Sequence, residues 1–133
     1  MSKLPNFLRP NDKVALCSSA RKISYRELYY AIELLKSKGL EVVLGDTIGL
    51  ESNQFAGSDK ERAKDIQQML DSEDIKAIIF ARGGYGTVRI LDLLDFSEFE
   101  KQPKWLIGYS DVTAMLSHIY FNHGICSMHA SMP

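Results

Sequence analysis

The chain has 133 residues, 45% of them apolar and 25% charged, and its 16 basic and 17 acidic side chains leave a net charge of -1. A chain of this length makes one ordinary domain that buries roughly two thirds of its unfolded surface, and the composition excludes disordered and fibrous classes. The balanced charge, with Lys and Arg scattered, excludes a field strong enough to gather nucleic acid or an anionic membrane.

Residues Met1 to Pro10 contain no apolar core of the roughly 7–15 residues a secretory signal needs. No apolar run approaches the ~20 residues of a membrane span. The expectation is a cytoplasmic protein whose two cysteines, Cys17 and Cys126, are reduced thiols packed as small hydrophobes. Too few ligand-type residues lie near either thiol to build a zinc site.

Asp12 to Ser19 is a short apolar run closed by small polar residues, which predicts a buried strand and then a loop. Ser24 caps a helix, with Glu27 completing a capping box, and Tyr25, Leu28, Tyr29, Ile32 and Leu35 recur at helical spacing. Gly39 sits where a glycine ends such a helix, and Leu40–Leu44 is a second strand. Residues 45–57 read as a loop. A second helix starts at Ser58 or Asp59 and runs to about Leu70. Ile75–Phe80 is a third strand, broken sharply by Arg82-Gly83-Gly84-Tyr85-Gly86. Thr87–Leu94 predicts a short helix, and Phe96–Lys104 a mixed connection with one helical turn. Trp105–Tyr109 is a fourth strand, Asp111–Asn122 a helix ended by His123-Gly124, and Ile125–Met128 a fifth strand.

Strands and helices alternate through short loops, and the strands are nearly continuous in apolar residues. That pattern predicts an α/β fold: a mostly parallel, flavodoxin-like sheet of about five strands with helices on both faces. Ligands of such sheets bind at the carboxyl ends of the strands. The two most unusual loops, 81–86 and 108–111, both follow strands, so both lie on that edge.

Ser110 stands between a strand and a helix. A tight turn there pushes a hydroxyl out of the sheet edge and sets it over free backbone N–H groups, as a serine nucleophile needs. Gly108 keeps the turn uncrowded. The usual elbow is G-x-S-x-G, and Val112 occupies its fifth position here. A simple N-cap accounts for Ser110-Asp111 equally well. Gly83, Gly84 and Gly86 can turn their N–H groups toward an anion or a carbonyl oxygen. Three readings stay open for that loop: a plain turn, an anion cradle, or an oxyanion donor paired with the N–H of Asp111. The spacing fits neither a dinucleotide-binding fingerprint nor a P-loop.

Arg82-Gly83-Gly84-Tyr85-Gly86 followed by Gly108-Tyr109-Ser110-Asp111-Val112-Thr113 resembles the paired signature of the LD-carboxypeptidases, serine peptidases that include the microcin-immunity proteins. The resemblance covers essentially the whole chain, including Leu8-Arg9-Pro10-Asn11-Asp12-Lys13-Val14 at the first strand. It implies a cytoplasmic hydrolase of peptidoglycan recycling that removes a terminal D-amino acid from an L-configured centre in a murein tetrapeptide. It assigns Ser110 as nucleophile and the N–H groups of Asp111 and Gly84, with Gly83 as the alternative, as oxyanion donors. The family's Glu and His partners lie in a C-terminal domain, so residues 1–133 correspond to the N-terminal domain, and the isolated chain is expected to be inactive. Family members commonly carry His-Gly-Pro near the end of this domain, where this chain has His129-Ala130-Ser131. No metal or organic cofactor is implied, the partner is a murein or related peptide, and a homodimer is possible.

His118 lies eight residues into its helix, roughly 12 Å along it from Ser110, beyond the reach of a general base. His123 is farther still. His129 follows the fifth strand and is a candidate lining residue of the substrate site. The rival reading, from a different class, is a stand-alone flavodoxin-like domain that holds an anionic ligand in the glycine loop.

Overall fold

The computed structural model describes residues 1–133. Five strands form one sheet, parallel throughout: β1 (Lys13–Cys17), β2 (Glu41–Leu44), β3 (Ile75–Phe80), β4 (Trp105–Gly108) and β5 (Met128–His129). Their order is β2-β1-β3-β4-β5. The helices between them are α1 (Tyr25–Ser37), α2 (Asp59–Asp71), α3 (Ser97–Lys101) and α4 (Thr113–His123). None is long and apolar enough to cross a membrane.

Alternation along the strands sorts the core onto two faces. Ala15, Cys17, Ile78, Phe80 and Leu106 pack with Ala63, Ile66 and Leu70 of α2, Phe99 of α3, and Met115 and Ile119 of α4. On the other face Leu16 and Ala81 pack with Leu28 and Ile32 of α1. Helices therefore cover both faces, as expected. The chain leaves β1 toward β2, then crosses back over β1 to β3. The order reverses between β1 and β3, and the carboxyl ends of those strands flank the crevice where such sheets bind ligands.

Both long helices start on full capping boxes. Ser24 with Glu27 was legible in the sequence; Ser58 with Glu61 repeats the device at α2. Each satisfies N–H groups that the first helical turn leaves bare, worth about 1 kcal/mol.

Several boundaries differ from the periodicity. The stretch Thr87–Leu94 is two 3-10 turns, Thr87–Arg89 and Leu91–Leu93. Its entry is held from outside: the Thr87 N–H donates to Asp111, and the Thr87 and Ser19 hydroxyls share a bond. The fourth strand stops at Gly108, and a 3-10 turn, Ser110–Val112, precedes α4. Ile125 does not begin β5. Gly124 turns left-handed at φ 65, and Ile125 pairs with Lys3 of the N-terminal segment. The Lys3 N–H donates to Gly124 O at 2.7 Å and the Cys126 N–H to Lys3 O at 2.9 Å. A pairing between the two ends of the chain leaves no periodic trace.

One buried cation ties β4 to α2. Lys104 is 3% exposed and its Nζ donates to the carbonyls of Met69, Leu70 and Ser72 at 2.9, 2.9 and 2.5 Å. These include carbonyls that the end of α2 leaves bare. Burial, with the Lys76 charge second, lowers Lys104 from 10.5 to about 8. The folded chain thus releases this proton near pH 8, whereas the unfolded chain holds it to 10.5. Across that interval the unfolded state binds more protons, so stability at this site rises with pH. Urea denaturation between pH 7.5 and 10 should show Lys104→Met losing this upward contribution. Parallel profiles for the two proteins would contradict it.

Candidate active site

Three loops meet at the carboxyl edge: residues 18–23 after β1, 81–86 after β3 and 109–112 after β4. Backbone bonds join the first two, from Ala81 N to Cys17 O at 2.8 Å and from Arg21 N to Gly83 O at 3.3 Å. The strand after α4 supports the third, through Ala130 N to Gly108 O at 3.0 Å.

Ser110 has φ 58, in the left-handed region that a non-glycine residue enters at a cost of roughly 1–3 kcal/mol. It is exposed. Neither the 3-10 turn nor α4 is capped by a side chain, so Ser110 does not serve as an N-cap. Val112, at the elbow position where a glycine is usual, packs against Gly108: a Cβ on Gly108 would lie 2.8 Å from Val112 Cγ1. The crowding that the usual motif relieves at its last position is relieved here at Gly108.

The glycine loop lies directly against this serine. A Cβ on Gly83 would stand 3.3 Å from Ser110 Cβ and 3.4 Å from its Oγ. Gly84 has φ 103, and a Cβ there would run into the Arg21 side chain at 2.6–2.8 Å. The backbone N–H groups of Gly83, Gly84 and Asp111 have no acceptor within the chain. Donors left unengaged beside a serine hydroxyl are what an oxyanion requires. The Asp111 carboxylate has a separate task that its place in the sequence did not reveal. Its Oδ2 accepts from the Thr87 N–H at 2.9 Å and so fixes the end of the glycine loop relative to Ser110.

A pocket of about 420 Å³ opens over these groups, with Arg21, Glu27, Arg82, Gly83, Gly84 and Ser110 in its walls. Arg82 Nη1 pairs with Glu27 Oε1 at 3.1 Å. The Ser24 N–H and hydroxyl, and then Arg82, hold the Glu27 carboxyl below its usual range, so this pair stays charged at neutral pH.

Arg62, wholly buried, organises the loops from beneath. Its Nε donates to Ser19 O at 2.9 Å, Nη1 to Gly57 O at 2.7 Å, and Nη2 to Asp59 Oδ1 at 2.7 Å and Gly86 O at 3.4 Å. The Phe55 ring lies 4.8 Å from the guanidinium carbon. Asp59 also binds Arg89, which is the first cause of its lowered pKa, with Arg62 adding to it.

His118 and His123 lie away from the pocket, while His129 neighbours Tyr109 of its wall. His129 pairs with Gly108 in register, is exposed, and presents its ring edge-on to Tyr109 at 6.3 Å. His118 and His123 stack with Phe96, and His123 Nδ1 bonds Glu100 at 2.5 Å. Both cysteines are free thiols. Burial, with the Asp65 carboxylate second, pushes the Cys17 thiol well above its ordinary value, which leaves it inert as a nucleophile. No three His, Cys, Asp or Glu side chains are grouped to hold a metal ion.

The class is thus a parallel α/β domain that sets a left-handed serine against a glycine loop at the carboxyl edge of its sheet. The chain belongs to the LD-carboxypeptidase N-terminal domain family, whose model matches residues 14–130. It is 35% identical over 128 residues to the probable murein peptide carboxypeptidase of Bacillus subtilis, covering 96% of this chain and 40% of that protein. It is 33% identical over 125 residues to the microcin C7 self-immunity protein MccF of Escherichia coli, covering 92% of this chain and 36% of that protein. The structure matches that of muramoyltetrapeptide carboxypeptidase from Oxalobacter formigenes with a TM-score of 0.79 at 32% identity, over 90% of this chain and 40% of that one. The chain thus spans about 40% of the length of the curated relatives it matches. Two of these three relatives are named carboxypeptidases.

Arg62→Met keeps most of the volume but strips the donors from three carbonyls and one carboxylate. It should cost about 3–5 kcal/mol in chemical denaturation, the range for removing one partner of a buried charged network. A loss below 1 kcal/mol would mean that the loops hold their places without it.

Proposed function

We propose that this chain is the nucleophile-bearing domain of a cytoplasmic serine carboxypeptidase that removes a terminal D-amino acid from an L-configured centre in a murein tetrapeptide. The observation that carries the reading is Ser110 at φ 58, held against Gly83 with unengaged N–H groups around it. The murein-peptide relatives support the substrate class. The Ser110 hydroxyl attacks the scissile carbonyl, and the N–H of Asp111, with that of Gly84 or Gly83, receives the developing oxyanion. The D-amino acid leaves as the free amine, and water then releases the acyl group from Ser110.

His118, His123 and His129 make no hydrogen bond with Ser110, and none is assigned as the base that takes the serine proton. In this reading Glu and His come from the part of the relatives' length that residues 1–133 do not span. The rival reading, a stand-alone anion-binding domain, gives no reason for a serine to occupy a strained conformation beside the glycine loop.

A fluorophosphonate probe on the gene's full product should label Ser110, and Ser110→Ala should abolish labelling and lower release of the terminal D-amino acid by about 10⁴-fold or more. Labelling that survives the substitution would overturn the assignment. Residues 1–133 alone should turn over no L-diaminopimelyl- or L-lysyl-D-alanine peptide; turnover that Ser110→Ala removes would show that the base lies within this chain.

A further inference from the structure

The pocket over Ser110 carries two guanidinium groups, and only one is spent. Arg82 is paired with Glu27, while Arg62 and Arg89 outside the pocket are paired with Asp59. Arg21 makes no ion pair and its side chain makes no hydrogen bond, although its backbone is held on two sides. Its N–H donates to Gly83 O at 3.3 Å, and Arg21 bridges Phe55 in antiparallel fashion. Its side chain lies across Gly84, where a Cβ would meet its Cγ, Cδ and Nε at 2.6–2.8 Å. An immobilised backbone carrying an unspent cation into a pocket is arranged to receive an anion.

The spacing says which anion. Ser110 Oγ faces Gly83, and the Arg21 side chain faces Gly84. Gly83 and Gly84 are consecutive, with Cα atoms about 3.8 Å apart, so the hydroxyl and the guanidinium stem lie against neighbouring residues of the glycine loop. In a carboxypeptidase the terminal carboxylate follows the scissile carbonyl by one residue. We propose that Arg21 binds the terminal carboxylate of the peptide substrate and thereby restricts Ser110 to the last peptide bond. The proposal rests on the reading of Ser110 as nucleophile, and adds a specificity-determining residue to it. Glu27 and Arg82 cancel locally, so a substrate carboxylate meets one net positive charge.

The test separates the two ideas. Binding to the full product carrying Ser110→Ala is measured by calorimetry for an L-diaminopimelyl-D-alanine peptide and for the same peptide with its terminal carboxylate converted to an amide. The carboxylate form should bind about 10- to 100-fold more tightly, the range for one charge-assisted hydrogen-bonded pair. Adding Arg21→Ala should erase that preference while leaving the amide's affinity in place, and Arg21→Lys should restore part of it. In the protein with Ser110 intact, Arg21→Ala should raise KM and leave fluorophosphonate labelling unchanged. Equal binding of the two peptides, or an equal loss for both on Arg21→Ala, overturns the proposal. Loss of labelling at Ser110 in the unsubstituted protein overturns the nucleophile reading instead.

Discussion

A guanidinium with no exposure to water must find acceptors inside the protein, and Arg62 finds them on three different segments. It takes the carbonyl of Ser19 from the loop after β1, that of Gly57 from the approach to α2, and that of Gly86 from the loop after β3. Desolvating the charge is costly, and only the near-complete set of acceptors offsets it. The consequence is geometric. The loops at the sheet edge cannot move independently without stranding a buried donor.

From Arg62 the constraint passes outward. The Ser19 hydroxyl bonds the Thr87 hydroxyl at 2.6 Å, and the Thr87 N–H bonds the Asp111 carboxylate at 2.9 Å. Asp111 adjoins Ser110. A continuous series of short polar contacts therefore runs from the core of α2 to the residue beside the serine, linking the ends of β1, β3 and β4. The strained conformation of Ser110 persists because its neighbours are over-determined in this way, which is how strain is retained at functional positions. A flexible edge would relax it.

Much of this was legible in the sequence. Near-continuous apolar strands alternating with capped helices specify a parallel sheet, and the paired loops after β3 and β4 point to the edge where Ser110 stands. The hidden parts share one physical cause: they depend on partners distant in the chain. Thr87 and Ser19 look like ordinary small polar residues. Arg62 sits in a helix whose neighbours are Lys and Glu, and reads as one more solvated charge. The two 3-10 turns after Gly86 carry an apolar pattern that suits an α-helix equally well, and the choice is made by the contacts of Thr87. Likewise the start of β5 is displaced because Lys3 takes Ile125 first.

The network also explains why the glycine loop resists a single local reading. As a plain turn, Gly83 to Gly86 would need only its own backbone. Instead Gly86 O accepts from Arg62 as well as from the Arg89 N–H, Gly83 O accepts from the Arg21 N–H, and the N–H groups of Gly83 and Gly84 have no acceptor within the chain. Two of the loop's carbonyls are engaged while two of its donors have no acceptor within the chain. In a plain turn donors and acceptors tend to close on each other. The buried Arg62 takes part in this loop's arrangement from behind it, through Gly86 O, without lining the pocket.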